Sequence, residues 1–149
     1  MNRYQLSPHF NLVEFECLCC HRVMLDERII PVLENVRAYI GLPIIITSGY
    51  RCQFHNQNVG GVPDSDHIYG WAVDILAGYL GDGKHKRQLI PPDELAKIIG
   101  YYLRDGRIIT YSDKMCVHVG VQLRDGDIIG KDSNCHLHIT PKNSNGRQA

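Results

Sequence analysis

The sequence predicts an α+β domain in which helices pack on a small antiparallel sheet. Three observations carry this expectation: two apolar stripes at helical spacing with start and stop signals, short β-branched runs bounded by turn residues, and a chain of 149 residues, 44% of them apolar. A chain of that length hides roughly 68–70% of the surface its unfolded form exposes, enough for one core. A single domain over residues 1–149 with a frayed tail after Pro141 is expected.

Asn11-Leu12-Val13-Glu14 ahead of Phe15 has the form of a capped helix start, with Asn11 accepting from the first turn and Glu14 reaching back. Ile29, Ile30, Leu33, Val36, Ala38 and Ile40 follow helical spacing between Asp26 and Gly41, with Pro31 near the first turn. Ile44-Ile45-Ile46-Thr47 reads as a buried strand, residues 51–59 as one or two helical turns, and Ala72-Val73-Asp74-Ile75-Leu76 as a second strand. Residues 77–91, rich in glycine and ending on Pro91, read as a polar loop. Pro92-Asp93-Glu94 opens the last helix, with Leu95, Ile98, Ile99, Tyr102 and Leu103 on one face. Short strands are expected at 107–111, 115–123, 127–130 and 135–139, with a hairpin turn at Arg124-Asp125-Gly126-Asp127.

Sixteen basic and sixteen acidic side chains cancel, so the basic footprint of a nucleic-acid or anionic-membrane binder is absent. No apolar run approaches the ~20 residues of a membrane span, and Met1 to Pro8 do not resemble a leader. Synthesis in a bacterial cytoplasm, as a monomer, is expected. Six cysteines (17, 19, 20, 52, 116 and 135) are too unevenly spaced for a disulfide-built domain and read mostly as small buried apolar groups. Cys17-Leu18-Cys19-Cys20-His21 has the donor types of a structural zinc site but lacks a second ligand pair at recognisable spacing, so it reads as a turn of reduced thiols.

Polar side chains and glycines concentrate from Ser48 to Asp74, between two apolar strands. His67 and Asp74 are seven residues apart, which is about 10 Å on a helix and over twice that in a strand, too far to share one ion. A chain reversal at Gly70 brings them together, giving a loop ligand and a strand ligand. With a further histidine they would form a zinc site of the catalytic kind, whose fourth position stays open to a water of pKa about 7, although the pair by itself reads first as a hydrogen-bonded histidine and aspartate in a loop.

Ser48-Gly49-Tyr50-Arg51, His67 sixteen residues beyond Arg51, and His-x-x-Gly-x-Ala-x-Asp over 67–74 resemble the zinc D-alanyl-D-alanine carboxypeptidases and related phage endolysins. Glu14-Phe15 with the cysteine cluster, Leu25-Asp26 and Val59-Gly60-Gly61 extend the resemblance, which runs from about Phe10 to Val121. It implies the small α+β fold shared with the hedgehog signalling domain, one zinc ion, and hydrolysis of peptidoglycan stem peptide. By the same resemblance His67 and Asp74 are metal ligands, Arg51 polarises the scissile carbonyl, and Ser65 contacts substrate. The third ligand falls on a late strand: Cys116-Val117-His118-Val119-Gly120 matches best and selects His118, with His138 of His136-Leu137-His138 as the competitor. Two features depart from the family. Gly120 stands where relatives carry an acid, and no carboxylate lies three residues before His118. Asp113 is the first choice of proton acceptor, with Asp66, Asp132 and His136 as alternatives. The remaining histidines (9, 21, 55 and 85) read as surface or capping groups, and Trp71 as a core anchor.

Such an enzyme would reach the wall through a holin-like pore or within a phage particle, the favoured reading, or stay in the cytoplasm and process imported wall peptides. A zinc-containing wall-binding module without turnover, or a virion component reusing the fold, are the rival readings.

Overall fold

The computed structural model describes residues 2–125. The expected strands at 127–130 and 135–139, Gly126 and Asp127 of the expected turn, Asp132, Cys135, His136, His138 and the tail lie outside the described residues. Asn11 opens the fold as its sequence implies. Its Oδ1 accepts from Val13 N at 3.2 Å and Glu14 accepts from Asn11 N at 2.6 Å, closing a capping box around the 3-10 turn Leu12–Phe15. Helix α1 (Ile29–Ile40) carries Pro31 in its first turn and stops at Gly41, whose φ of +66° is open to glycine at little cost. There follow β1 (Ile44–Ser48), α2 (Gln53–Asn58), a second 3-10 turn (Asp66–Tyr69), β2 (Ala72–Tyr79), β3 (Gln88–Leu89), α3 (Pro92–Tyr102), β4 (Arg107–Tyr111) and β5 (Cys116–Gly120).

The strands run antiparallel in the order β1-β2-β5-β4, and β3 pairs with the far end of β2. The loop expected over 77–91 is therefore shorter than its composition implies. Ala77, Gly78 and Tyr79 prolong β2, and Gln88–Leu89 pair back on it. Gly78 permits this, because a Cβ there would sit 2.0 Å from the Gln88 carbonyl oxygen.

Alternation along the strands divides the sheet into two faces. Val73, Ile75, Val117, Val119 and Ile108 join Leu33, Val36, Leu95 and Ile99 of α1 and α3 in one buried cluster. Burial of each such side chain contributes about 1.5–3 kcal/mol, which is what holds the two helices on this face. Asp74, Cys116, His118 and Tyr111 fall on the opposite face. Among the described residues no helix is long and apolar enough to cross a membrane.

Candidate metal centre

Register builds the centre. Asp74 of β2 stands directly across from His118 of β5 and, on its other side, pairs with Ser48 of β1. Facing residues in adjacent strands have Cβ atoms roughly 5 Å apart, close enough for both side chains to meet one ion. His67 arrives from the second 3-10 turn, which Gly70 ends at φ +70°. A Cβ at Gly70 would lie 2.5 Å from the Met24 backbone, so the reversal proposed from spacing alone needs glycine for room as well as for conformation.

His67 Nε2 lies 3.2 Å and His118 Nδ1 3.0 Å from the same oxygen, Asp74 Oδ1. Ligands about 2.0–2.1 Å from a tetrahedral zinc are about 3.3 Å from each other, close to both distances to Asp74, and all three donor atoms lie within 4.8 Å of one another. The protonation pattern also fits. His67 Nδ1 faces the Gly49 carbonyl at 2.8 Å and must donate to it, which leaves the Nε2 lone pair for a metal. Burial lowers the His67 pKa, against the opposing pull of Asp74, and favours the neutral ring. Burial disfavours the charged form of Asp74 too, but His67 and His118 outweigh it and hold its carboxyl well below the usual range. Gly49 has its own constraint, since a Cβ would meet the Phe15 carbonyl oxygen at 2.4 Å.

His118 is oriented from behind. Its Nε2 lies 3.7 Å from Asp66 Oδ2, and Asp66 is also bound by Arg107 at 3.2 Å and Arg124 at 2.6 Å. Burial pulls the His118 pKa down, while Asp66 and Asp74 on either side outweigh it and raise it. Metal at Nδ1 must displace a proton from this ring, so affinity falls as pH falls. A Cβ on Gly120 would lie 3.4 Å from Asp66 Oδ2 and 3.3 Å from His118 Nε2. The space beside the acid-free position 120 is thus occupied by a carboxylate from the 3-10 turn. Asp66 supplies there what the sequence lacks at Gly120, a carboxylate behind the His118 ring.

Asp66 is consequently a poor base. Burial raises its pKa, but His118 and Arg124 outweigh this and bring it from 3.8 to about 2. A carboxyl lowered on folding stabilises the fold above its unfolded pKa, and that contribution is lost as pH falls from near 4 toward 2. Asp66→Asn is expected to remove it, so the acid-denaturation curves of variant and wild type differ by about 2 kcal/mol near neutrality and approach each other at the acid end. Zinc affinity is expected to fall by about 10–100-fold in the same variant, measured by competition with a chromophoric chelator.

Arg51 sits beside the donor set. Its Nε donates to Ser48 Oγ at 3.0 Å, its Nη1 to Asn56 Oδ1 at 3.1 Å, and its Nη2 is 3.5 Å from Asp74 Oδ2. Two adjoining depressions share Arg51, Asp74, Lys114 and Cys116, and so form one groove across the centre. Ser65 lines it, but its Oγ accepts from His67 N at 3.3 Å and caps the 3-10 turn. Asp113 lies in the exposed turn between β4 and β5 and is not among the groove-lining residues.

Other expectations change more. Trp71 is only partly buried and is absent from the core cluster; it stacks on Tyr69 with ring centroids 4.5 Å apart, under the Arg124 guanidinium. His9, His21 and His85 pair at the surface with Glu34, Glu16 and Asp82, in keeping with their expected role. Of the five described cysteines only Cys17 and Cys116 are buried, so burial does not account for the other three.

Two imidazoles and a carboxylate converge beside a cation in an open groove, a donor set that could hold a metal ion. A family model, peptidase M15, matches residues 8–103, and the chain belongs to that family of zinc-dependent metallopeptidases. The match includes Arg51, His67 and Asp74 and ends before His118. Neither the curated proteins nor the solved structures yielded a match.

Proposed function

We propose that the protein hydrolyses a peptide bond in peptidoglycan stem peptide, as a carboxypeptidase or an endopeptidase, at one zinc ion held by His67, Asp74 and His118. The observation that carries this reading is the convergence of His67 Nε2 and His118 Nδ1 on Asp74 Oδ1 in the groove beside Arg51. Zinc held there would supply Lewis acidity and a water of lowered pKa. Arg51, pinned by Ser48 and Asn56, binds the scissile carbonyl and stabilises the charge that develops on it. Tyr111 lines the same wall, and burial together with Asp74 pushes its hydroxyl up to about 12, so it stays protonated and able to donate. Lys114 offers a cation for a peptide carboxylate. Asp113, next to Lys114 and close enough to act electrostatically on the groove-lining Cys116, is assigned as proton acceptor at the rim. Ser65 acts on substrate through the wall it helps to form. Release through a pore or delivery in a phage particle would bring this activity to the wall.

The exposed position of Asp113 favours one alternative, a zinc-containing module that binds wall peptide without turnover. Digestion of purified peptidoglycan, read by mass spectrometry of the soluble products, separates the two. New amino termini or released amino acid are expected, lost on chelation and restored by zinc. Muropeptide binding with full zinc occupancy and no new termini would establish the alternative.

A further inference from the structure

We propose that Cys17, Cys19, Cys20 and Cys52 bind a second zinc ion, structural in role, that fastens the amino-terminal segment to the loop carrying Arg51. The cysteine turn lacks a partner only in sequence. Cys52, 35 residues beyond Cys17, brings its Sγ to 3.7 Å from Cys17 Sγ and 3.5 Å from Cys19 Sγ. The sulfurs of Cys17, Cys20 and Cys52 all lie within 4.8 Å of one another. Sulfurs about 2.3 Å from a tetrahedral zinc are about 3.8 Å apart, close to the Cys17–Cys52 and Cys19–Cys52 separations.

The backbone around the cluster is arranged for thiolates. Cys17 and Cys20 have the two-residue separation of a zinc knuckle, and the chain turns back between them and Arg22. Cys17 N donates to Arg22 O at 2.8 Å, His21 N donates to Cys17 O at 2.9 Å, and His21 takes up φ +57° to make the turn. Cys52 N points at Cys17 Sγ from 3.5 Å, and His55 N at Cys52 Sγ from 3.4 Å. Apolar packing does not explain the group, because Cys19 and Cys20 are exposed. The His21 ring is turned toward Glu16, which leaves the Cys19 sulfur, 3.5 Å from Cys52 Sγ, as the fourth donor beside Cys17, Cys20 and Cys52.

The position explains a use for the ion. Cys52 follows Arg51 directly and caps α2, while Tyr50 N bonds the Phe15 carbonyl at 2.8 Å. An ion joining Cys52 to the turn at 17–20 closes a loop that contains α1 and β1 and restrains the backbone from which Arg51 projects. Thiolate ligation releases protons as the ion binds, so its affinity falls as pH falls.

The test is cobalt substitution of the whole reduced chain, kept anaerobic, together with metal analysis of the zinc form. Two zinc ions per chain are expected. The cobalt form should show thiolate-to-cobalt charge-transfer bands, which a site of imidazole and carboxylate cannot produce. His67→Ala should keep these bands and one zinc ion, whereas the double variant Cys17→Ser with Cys20→Ser should lose both the bands and one zinc equivalent. Wild-type protein without charge-transfer bands would overturn the proposal whether or not the variants fold. So would disulfide pairing among the four cysteines in the anaerobic protein.

Discussion

Replacement of His67 by alanine is expected to reduce peptide hydrolysis by about a thousandfold or more, since several kcal/mol of transition-state charge stabilisation leave with the metal. The effect should be local. The second 3-10 turn keeps its Ser65 cap and its Gly70 stop, and the sheet core lies on the opposite face. The Gly49 carbonyl loses the His67 ring as a partner, a cost of about 1–3 kcal/mol that a melting curve will register without unfolding the protein. Metal analysis and circular dichroism on the same preparation therefore distinguish a lost ion from a lost fold. Cleavage at the wild-type rate would sink the mechanism. His118→Ala extends the test to the third ligand: full zinc content and activity in that variant would remove His118 from the set and return the choice to His138.

Arg51→Lys is expected to lower kcat by about 10²–10³-fold, with zinc content unchanged and KM altered far less. Lysine keeps the charge but not the planar fork. Of the five guanidinium N–H groups, contacts to Ser48, Asn56 and Asp74 hold the plane in place and leave donors for a substrate oxygen. Were Arg51 only a structural partner of Asp74, the variant would instead lose stability or zinc affinity and retain kcat. Steady-state kinetics on a defined stem peptide, with metal content measured in parallel, separates these outcomes.

Much of the fold was legible because its signals are local. The caps at Asn11 and Gly41, the periodicity of α1 and α3, and the β-branched run of β1 each report on a few neighbouring residues. The His67–Asp74 pairing was legible for the same reason, since seven residues and one glycine define a reversal without help from the rest of the chain. The extent of β2 was not, because its last residues become strand only by pairing with β3.

What the sequence alone determined, then, is the class of fold, the candidate ligands His67 and Asp74 with His118 as the preferred third, and the arginine beside them. Tertiary structure decided the rest. Strand register set His118 opposite Asp74, and the packing of the 3-10 turn against β5 put Asp66 behind His118, where position 120 has no acid. Cys52 met the amino-terminal cysteines only because β1 delivers it to them across 35 residues. Each is a contact between segments far apart in the chain, and spacing along a sequence carries no information about such distances until the strands have paired.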